Sequence, residues 1–251
     1  MTLIAGLRCT EAVVLASDSQ VTVEGMKTSA TKLFCTQHGI IWGTAGPIAA
    51  QQAIETHFEN LILEGNPGKA AGRQGVKDVM AAAAEDMKAA DGTPLGGRFG
   101  GLFAWHGDED GGNHLLKAYS DGSVEFMSEY GTMGSSAELA RFAFFGFNSS
   151  GFIEYETLPL EAAKMLVHKV TDDAVLGSAG PVDGPIQLAV ATATEAGVLD
   201  DKDLKPVRDT ASAFRMHQAD FLKRTDEPAD QDGASGLVPG EDDATGASGS
   251  K

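Results

Sequence analysis

The sequence has few cysteines, few positive charges and no long apolar run, and each of these absences argues against a class of protein. Its 251 residues include 2 Cys and 19 Lys and Arg against 36 Asp and Glu, which gives a formal net charge of -17. Nucleic acids are bound through clustered Lys and Arg, so this balance argues against a nucleic-acid-binding protein. The longest apolar runs, such as 40–42 and 80–84, are far shorter than the ~20 residues that span a bilayer, so no membrane association is expected.

Metal, disulfide and export signals are equally scarce. Cys9 and Cys35 stand alone in apolar, strand-like runs, which is typical of buried thiols in a reducing compartment. The six histidines never pair with each other or with cysteine at ligand spacing, so we expect no metal and no cofactor. The N-terminus lacks the basic start and apolar stretch of a signal peptide, and the sequence therefore predicts a cytoplasmic protein.

The composition is that of one globular domain with a polar tail. Apolar residues make up 42% of the chain and aromatic residues 7%, which is enough to bury one substantial core. We expect this domain to cover residues 1–224. From Thr225 onward the sequence is rich in Asp, Glu, Gly and Ser, so residues 225–251 are predicted to form an acidic, disordered tail.

Apolar patterning predicts strands followed by helices, twice over. The predicted strands are 2–8, 12–17, 33–36, 40–45, 100–105, 115–119, 124–128 and 186–192. The predicted helices are 48–63, 75–90, 137–145, 160–169 and 210–222. We expect the first four strands to form two hairpins under the first helix pair, and strands 100–128 to form the opposing sheet. Because each sheet needs its second face covered, the predicted class is α+β, a four-layer α/β/β/α sandwich of two stacked antiparallel sheets.

The second residue carries the first chemical hypothesis. We expect no longer pro-segment before Met1, and threonine is small enough for Met1 to be removed. Thr2 would then be an N-terminal hydroxyl nucleophile with its own base, an α-amine whose pKa is roughly 7.7 to 8.0. Many proteins begin Met-Thr by chance, so residues further along the chain must support this interpretation.

Several segments, taken in order, provide that support. The run TLIAGL from Thr2, the strand end VLASDSQVT from Val14, KLF from Lys32 and GTAG from Gly43 resemble the start of proteasome β-subunits and of bacterial HslV-type peptidases. GTMG from Gly131 resembles that family's Gly-Ser-Gly turn. SAG from Ser178, before PIQLAV, resembles its late serine segment.

The resemblance implies an N-terminal nucleophile (Ntn) hydrolase fold and assigns roles to the early residues. Thr2 matches the nucleophile, Asp18 the strand-end acid and Lys32 the following lysine. A lysine cation oriented by a carboxylate favours the neutral α-amine, which then accepts the hydroxyl proton. The backbone N–H of Gly46, where a strand gives way to a helix, would supply the oxyanion hole.

The later site residues are assigned less directly by the same resemblance. Thr132 stands where the family turn usually has serine, and either hydrogen-bonds the amine of Thr2 or is structural. The late acid is Asp173, Asp172 or neither, because a near-gapless matching places Gly177 there. Ser178 matches the late serine.

The same matching predicts a pocket for the residue before the cleaved bond. Its lining would be apolar, so we expect an apolar preference, although these positions are equally typical of core or strand. They are Val21, Ala30, Thr44 and Ile48.

The sequence thus predicts a threonine-type endopeptidase subunit that cleaves unfolded polypeptides inside a homo-oligomeric ring or related multimer. Whether an ATPase partners the assembly is left open. Two alternatives remain at this point. One is a non-catalytic structural subunit of the same fold, and the other is a small-molecule Ntn amidase, although those sites usually begin with Cys or Ser.

Overall fold

A computed structural model describes residues 2–23, 26–63, 65–89, 91–93, 97–107, 111–149, 153–178 and 185–225, with the backbone alone at 21–23, 26–27, 219 and 221–225. The strands are β1 (Leu3–Arg8), β2 (Ala12–Ser17), β3 (Gln20–Val23), β4 (Met26–Ser29), β5 (Leu33–Cys35), β6 (Ile41–Ala45), β7 (Gly100–His106), β8 (Asn113–Tyr119), β9 (Val124–Phe126), β10 (Tyr130–Gly134), β11 (Gln187–Thr192) and β12 (Ala196–Val198). The helices are α1 (Ile48–Glu59), α2 (Lys69–Asp86), α3 (Ala137–Ser149), α4 (Leu160–Gly177) and α5 (Asp201–Thr225).

Residues 1–213 form one compact unit, and residues 214–251 form a second. The part of the second unit that the structure describes is the end of α5, up to Thr225. The predicted acidic tail lies, from residue 226 onward, outside the described residues.

The compact unit is built on two five-stranded antiparallel sheets. The first sheet has the order β10-β1-β2-β11-β12 and the second has the order β5-β6-β7-β8-β9, while β3 and β4 form a separate hairpin. The fold class predicted from the sequence, an α+β sandwich with two stacked antiparallel sheets, is confirmed.

The central strands of the first sheet are buried on both faces, which explains their unbroken apolar sequence. Leu3, Ala5 and Leu7 belong to the core beneath the helices, whereas Ile4 belongs to the core between the two sheets. Side chains alternate along a strand, so one strand supplies both layers. Strand β2 divides its residues in the same way.

A helix layer covers the outer face of each sheet. The core over the first sheet includes residues of α3, α4 and the start of α5, such as Phe144, Val167 and Leu204. The core over the second sheet includes residues of α1 and α2, such as Ile54 and Val76. The order of layers is therefore helices, sheet, sheet, helices.

The assignment of strands to sheets differs from the prediction. The first two hairpins do not share a sheet: β1 and β2 lie in one, and β5 and β6 lie in the other beside β7, β8 and β9. The expectation that strands 100–128 form the opposing sheet alone is therefore wrong. Local periodicity identifies strands, but their partners depend on contacts far apart in sequence.

Several elements are also longer than predicted, or were not predicted. Helix α2 begins at Lys69 rather than near Gly75, α4 continues to Gly177, and α5 begins at Asp201. The hairpin of β3 and β4 and the edge strand β12 carry little apolar signal, so patterning did not indicate them. The segment predicted to be a turn at 131–134 lies instead in β10.

Glycine at the start of α2 explains both the missed beginning and the close packing there. A Cβ atom on Gly72 would lie 2.5 Å from the ring of Trp105, which is completely buried. Glycine disfavours a helix in isolation, but here it lets the backbone of α2 lie directly against the ring of Trp105. Tertiary packing therefore overrides local propensity.

We predict opposite effects for Gly→Ala at two helical positions. Gly72→Ala should lower the free energy of unfolding by about 1 to 3 kcal/mol, because the new methyl group overpacks against Trp105. Gly146→Ala in α3, where an added Cβ meets nothing within 4 Å, should raise it by up to about 1 kcal/mol. Urea unfolding of the two variants measures both values. An equal gain in both would show that Trp105 yields without cost.

Candidate active site

Thr2 is fixed from the side of β10. The Thr2 carbonyl accepts a hydrogen bond of 2.9 Å from the Ser135 N–H, and the Ser135 hydroxyl lies 3.5 Å from the same oxygen. Gly134 has φ +107°, and a Cβ there would lie 1.8 Å from the Thr2 carbonyl oxygen. Only glycine fits both that conformation and that approach. The chain around Thr2 is thereby held while the residue itself stays partly exposed.

Asp18 fixes the same end of β1 from the other side. It follows β2 and is completely buried, and its Oδ1 accepts a hydrogen bond of 2.8 Å from the Leu3 N–H. The Asp18 N–H donates to the Leu3 carbonyl at 3.3 Å, as in an antiparallel ladder. The carboxylate takes the Leu3 N–H that an ordinary ladder would give to a backbone carbonyl. The Asp18 side chain therefore takes the place of a backbone carbonyl at the end of the β1–β2 ladder.

The second carboxylate oxygen of Asp18 receives a cation. Lys32 Nζ lies 2.7 Å from Asp18 Oδ2, and the Gln20 N–H donates to the same oxygen at 3.2 Å. Lys32 is 3% exposed. Asp18 thus links the lysine to the residue that follows Thr2, and the structure brings Thr2, Asp18 and Lys32 into one region.

The environment of Lys32 favours the loss of its proton more than water does. Burial lowers the pKa of the Lys32 ammonium from its ordinary value, and the hydrogen bond and charge of Asp18 partly oppose that change. A buried ion pair of this kind is costly to form, and it persists when geometry and further hydrogen bonds compensate. Here the N–H groups of Leu3 and Gln20 provide that compensation.

Gly46 lies at the junction between β6 and α1. Its φ is +154°, and a Cβ there would lie 2.5 Å from the Phe99 Cβ, so glycine is required. Pro47 precedes the first helical residue, Ile48. The N-terminus of a helix carries a partial positive charge, which suits a group that must stabilise a developing oxyanion.

Two of the four predicted pocket residues flank the same junction. Thr44, which is buried in β6, and Ile48, which is 47% exposed at the start of α1, stand on either side of Gly46. Ala30 is half-buried and hydrogen-bonded through its N–H to the Ser19 carbonyl at 2.8 Å. The backbone of Val21 lies in β3 opposite Thr28, and its side chain is outside the described residues.

The later predicted residues are placed differently. Thr132 lies within β10 opposite Ala5, three positions along β1 from Thr2, and not in a turn. Asp172 and Asp173 lie within α4 rather than in a loop, and Asp173 accepts a hydrogen bond from Lys169. The expectation that either acid lies in a late loop is therefore wrong, because both belong to α4. Ser178 caps the end of α4, where its hydroxyl donates to the Val175 carbonyl at 3.0 Å.

Sequence reasoning missed Ser135 because it aligned the hydroxyl to Thr132. Ser135 and Ser136 directly follow Gly134 and precede α3. A glycine at the end of a strand followed by two serines before a helix is the signal that points to them. The structure places Ser135, rather than Thr132, beside Thr2.

Comparison with known proteins identifies the family. A family model for the proteasome subunit matches residues 2–145, which is more than half of the chain. The chain belongs to the proteasome subunit family. The matched range contains Thr2, Asp18, Lys32 and Gly46.

A solved structure supports the fold of this proteasome-family subunit. It is similar to the Anbu (Gly-1) mutant from Hyphomicrobium sp. strain MC1, with a TM-score of 0.65 and 17% sequence identity over 91% of this chain and 100% of that one. Similarity at that identity concerns the fold alone. A search of curated proteins found no match.

Two other features of the proteasome-family subunit concern ligands and membranes. Among the described residues, no group of three or more His, Cys, Asp or Glu side chains is arranged to hold a metal ion. No helix in the same part of the chain has the length and apolar character needed to span a bilayer.

We predict that a buried and an exposed ion pair of equal length contribute differently to the free energy of unfolding. Asp18→Ala should lower the free energy of unfolding by about 3 to 5 kcal/mol, because it leaves the Lys32 ammonium buried without its carboxylate. Asp209→Ala breaks the exposed Lys205–Asp209 pair, also 2.7 Å long, and should cost between about 0 and 1 kcal/mol. Denaturant unfolding of both variants checks the difference. Similar losses would mean that the Asp18–Lys32 pair contributes no more than a surface pair.

Proposed function

We propose that this proteasome-family subunit is a threonine-type endopeptidase that uses the N-terminal amine and hydroxyl of Thr2 after removal of Met1. The observation that carries this proposal is the buried Asp18 carboxylate, which binds both the N–H of Leu3 and the ammonium of Lys32. An arrangement of this kind serves a reaction at residue 2, because it fixes the residue next to Thr2 and places a cation in the same region.

The proposed first step is attack on a peptide carbonyl. The neutral α-amine of Thr2 accepts the proton of its own hydroxyl as Oγ bonds to the carbonyl carbon. The cation of Lys32 disfavours protonation of the amine, so the base is available near neutral pH. The negative charge on the carbonyl oxygen is stabilised by the N–H of Gly46, a contribution commonly of about 3 to 4 kcal/mol per donor.

The remaining steps release the two products. The carbon–nitrogen bond breaks, and the α-ammonium of Thr2 returns its proton to the leaving amine. The acyl group then remains as an ester on Oγ. Water attacks that ester with the α-amine again as base, which releases the second product and restores the hydroxyl.

The substrates we propose are unfolded polypeptides, and the setting is a multimer. Membership of the proteasome subunit family favours assembly with further subunits. We propose a homo-oligomeric ring or related multimer in the cytoplasm, which would hide its sites from folded proteins. Thr132 and Ser178 stay proposed as hydroxyl groups that support the site, and Ser135 joins them because of its contact with Thr2.

Thr2→Ala should lower peptide hydrolysis by on the order of a thousandfold or more, because it removes the nucleophile and leaves the assembly intact. Thr56→Ala removes an exposed hydroxyl that donates to the Gln52 carbonyl within α1, so it is the matched control and should keep full activity. Hydrolysis of a fluorogenic peptide by the purified particles measures both.

Two further observations decide between this proposal and a non-catalytic subunit. Intact-mass spectrometry should show loss of Met1, and a β-lactone or epoxyketone probe should label Thr2. Full retention of Met1, or substrate degradation without label on Thr2, contradicts the proposed mechanism.

The pocket proposed around Gly46 should select an apolar residue before the cleaved bond. Thr44 and Ile48 flank that position and present no charge. Ile48→Asp should reduce kcat/KM for peptides with leucine or phenylalanine at this site by about 10- to 200-fold, the range typical of apolar pocket contacts. A panel of fluorogenic peptides tests this. A strict preference of the unmodified protein for basic or acidic residues would contradict it.

A further inference from the structure

The side chain of Gln187, the first residue of β11, joins the two sheets next to the candidate active site. Its Nε2 donates to the Ala30 carbonyl at 2.8 Å. Its Oε1 accepts from the Lys32 N–H at 2.9 Å and lies 3.4 Å from the Leu33 N. Both ends of one amide therefore bind the chain that carries Lys32.

The segment that Gln187 binds lies between two strands rather than within a ladder. Residues 30–32 connect β4 to β5, outside the ladders of both strands. Backbone N–H and C=O groups away from water require partners, and side chains supply them where a ladder does not. Ala30 has a further tether through its N–H to the Ser19 carbonyl. The segment is thus held by Ser19, which follows Asp18 in the chain, and by Gln187, which lies opposite Ser17 in the sheet.

The register of the first sheet explains why Gln187 reaches this segment. Gln187 lies opposite Ser17, the last residue of β2, and Asp18 is the next residue along the chain. The anchor for the Lys32 backbone and the anchor for its ammonium therefore stand on adjacent strands at the same end of the sheet. A rigid sheet sets the distance between them.

A glutamine at position 187 departs from the apolar alternation of β11. Ala189 and Ala191, at the following alternate positions, belong to the apolar core between the sheets. Alternation predicts an apolar residue at 187 too. A glutamine there needs partners for its amide oxygen and nitrogen, and the segment 30–33 provides them. The same hydrogen bonds therefore satisfy the amide of the glutamine and hold the backbone of Ala30 and Lys32.

We propose that Gln187 is a positioning residue, which holds the backbone of Lys32 so that its ammonium stays on Asp18 and beside the amine of Thr2. This inference rests on the proposed function. Gln187 acts through Lys32, and no contact with substrate is assigned to it. Its loss should therefore change the reaction rather than the binding of substrate.

The test compares an isosteric variant with a control in the same strand. Gln187→Met keeps the length of the side chain and removes its hydrogen bonds to Ala30 and Lys32. Val190→Ala truncates a buried residue of β11 that faces the helix layer, and it loses stability without touching residues 30–33. Intact particles of both variants are assayed for kcat and KM across pH.

Gln187→Met should lower kcat by about 10- to 100-fold, because small displacements of catalytic groups have costs of that order. Its KM should stay within about twofold of the unmodified protein. The acidic limb of the kcat/KM profile should move to higher pH, because a displaced ammonium opposes protonation of the Thr2 amine less. Val190→Ala should show the ordinary profile even where its thermal stability is lower.

Each contrary result has a distinct meaning. If the unmodified particles hydrolyse peptide and are labelled at Thr2, but Gln187→Met has the same kcat and pH profile, the inference on Gln187 is wrong and the proposed function stands. If the unmodified particles are neither active nor labelled, the proposed function fails and this inference fails with it.

A second variant serves if Gln187→Met does not assemble. A protonated Gln187→Glu side chain still donates to the Ala30 carbonyl and accepts from the Lys32 N–H, whereas the ionised form only accepts. The ratio of its kcat to that of the unmodified particles should be highest at low pH and should fall as the new carboxyl ionises, and a ratio that does not change with pH would contradict the proposal. Failure of both variants to assemble would assign Gln187 to folding alone and overturn the proposal.

Discussion

The candidate site depends on one buried carboxylate. Asp18 accepts hydrogen bonds from the Leu3 N–H, the Gln20 N–H and the Lys32 ammonium, and these donors belong to three separate segments of the chain. An ionised group away from water is tolerated only when most of its lone pairs have partners. The requirement that stabilises the carboxylate therefore also fixes the three segments relative to one another.

Residues from both sheets meet at the candidate site. The pairing of β1 with β2 continues to Leu3 and Asp18, and the pairing of β1 with β10 brings Gly134 and Ser135 to Thr2. Lys32 directly precedes β5 of the second sheet. A close-packed core lies between the two stacked sheets, and it fixes the distance between them. Residues far apart in sequence thus meet at one end of the sandwich.

Stability and the proposed chemistry draw on the same contacts. Gly134 holds a conformation that other residues rarely adopt, and it does so where the chain passes against Thr2. Burial lowers the pKa of Lys32, and the same burial makes the loss of its partner carboxylate on Asp18 costly. A similar fold at 17% identity in the Anbu mutant shows that the sandwich persists through extensive sequence change. The alternation of apolar residues can be preserved by many sequences, whereas a site of this kind needs particular residues at a few positions.

Some features could be predicted from the sequence because their physical cause is local. Alternating and continuous apolar runs identified β1, β2, β6, β7 and β11, and three-to-four spacing identified α1 and α3. The fold class followed from the need to cover each sheet on both faces. Thr2, Asp18, Lys32 and Gly46 followed from the resemblance to a known family, and their roles stay a proposal. The structure places the first three of them in one region.

Other features were decided by the tertiary structure alone. Which hairpin joins which sheet depends on contacts far apart in sequence, and so does the contact of Ser135, rather than Thr132, with Thr2. Asp173 lies in a helix because α4 continues to Gly177, eight residues beyond the end predicted from the apolar pattern. The role of Gln187 appears only when its strand stands beside β2 and its amide reaches residues 30–33. Periodicity in a sequence records which residues are buried, whereas the identity of their neighbours is set by the packing of the whole domain.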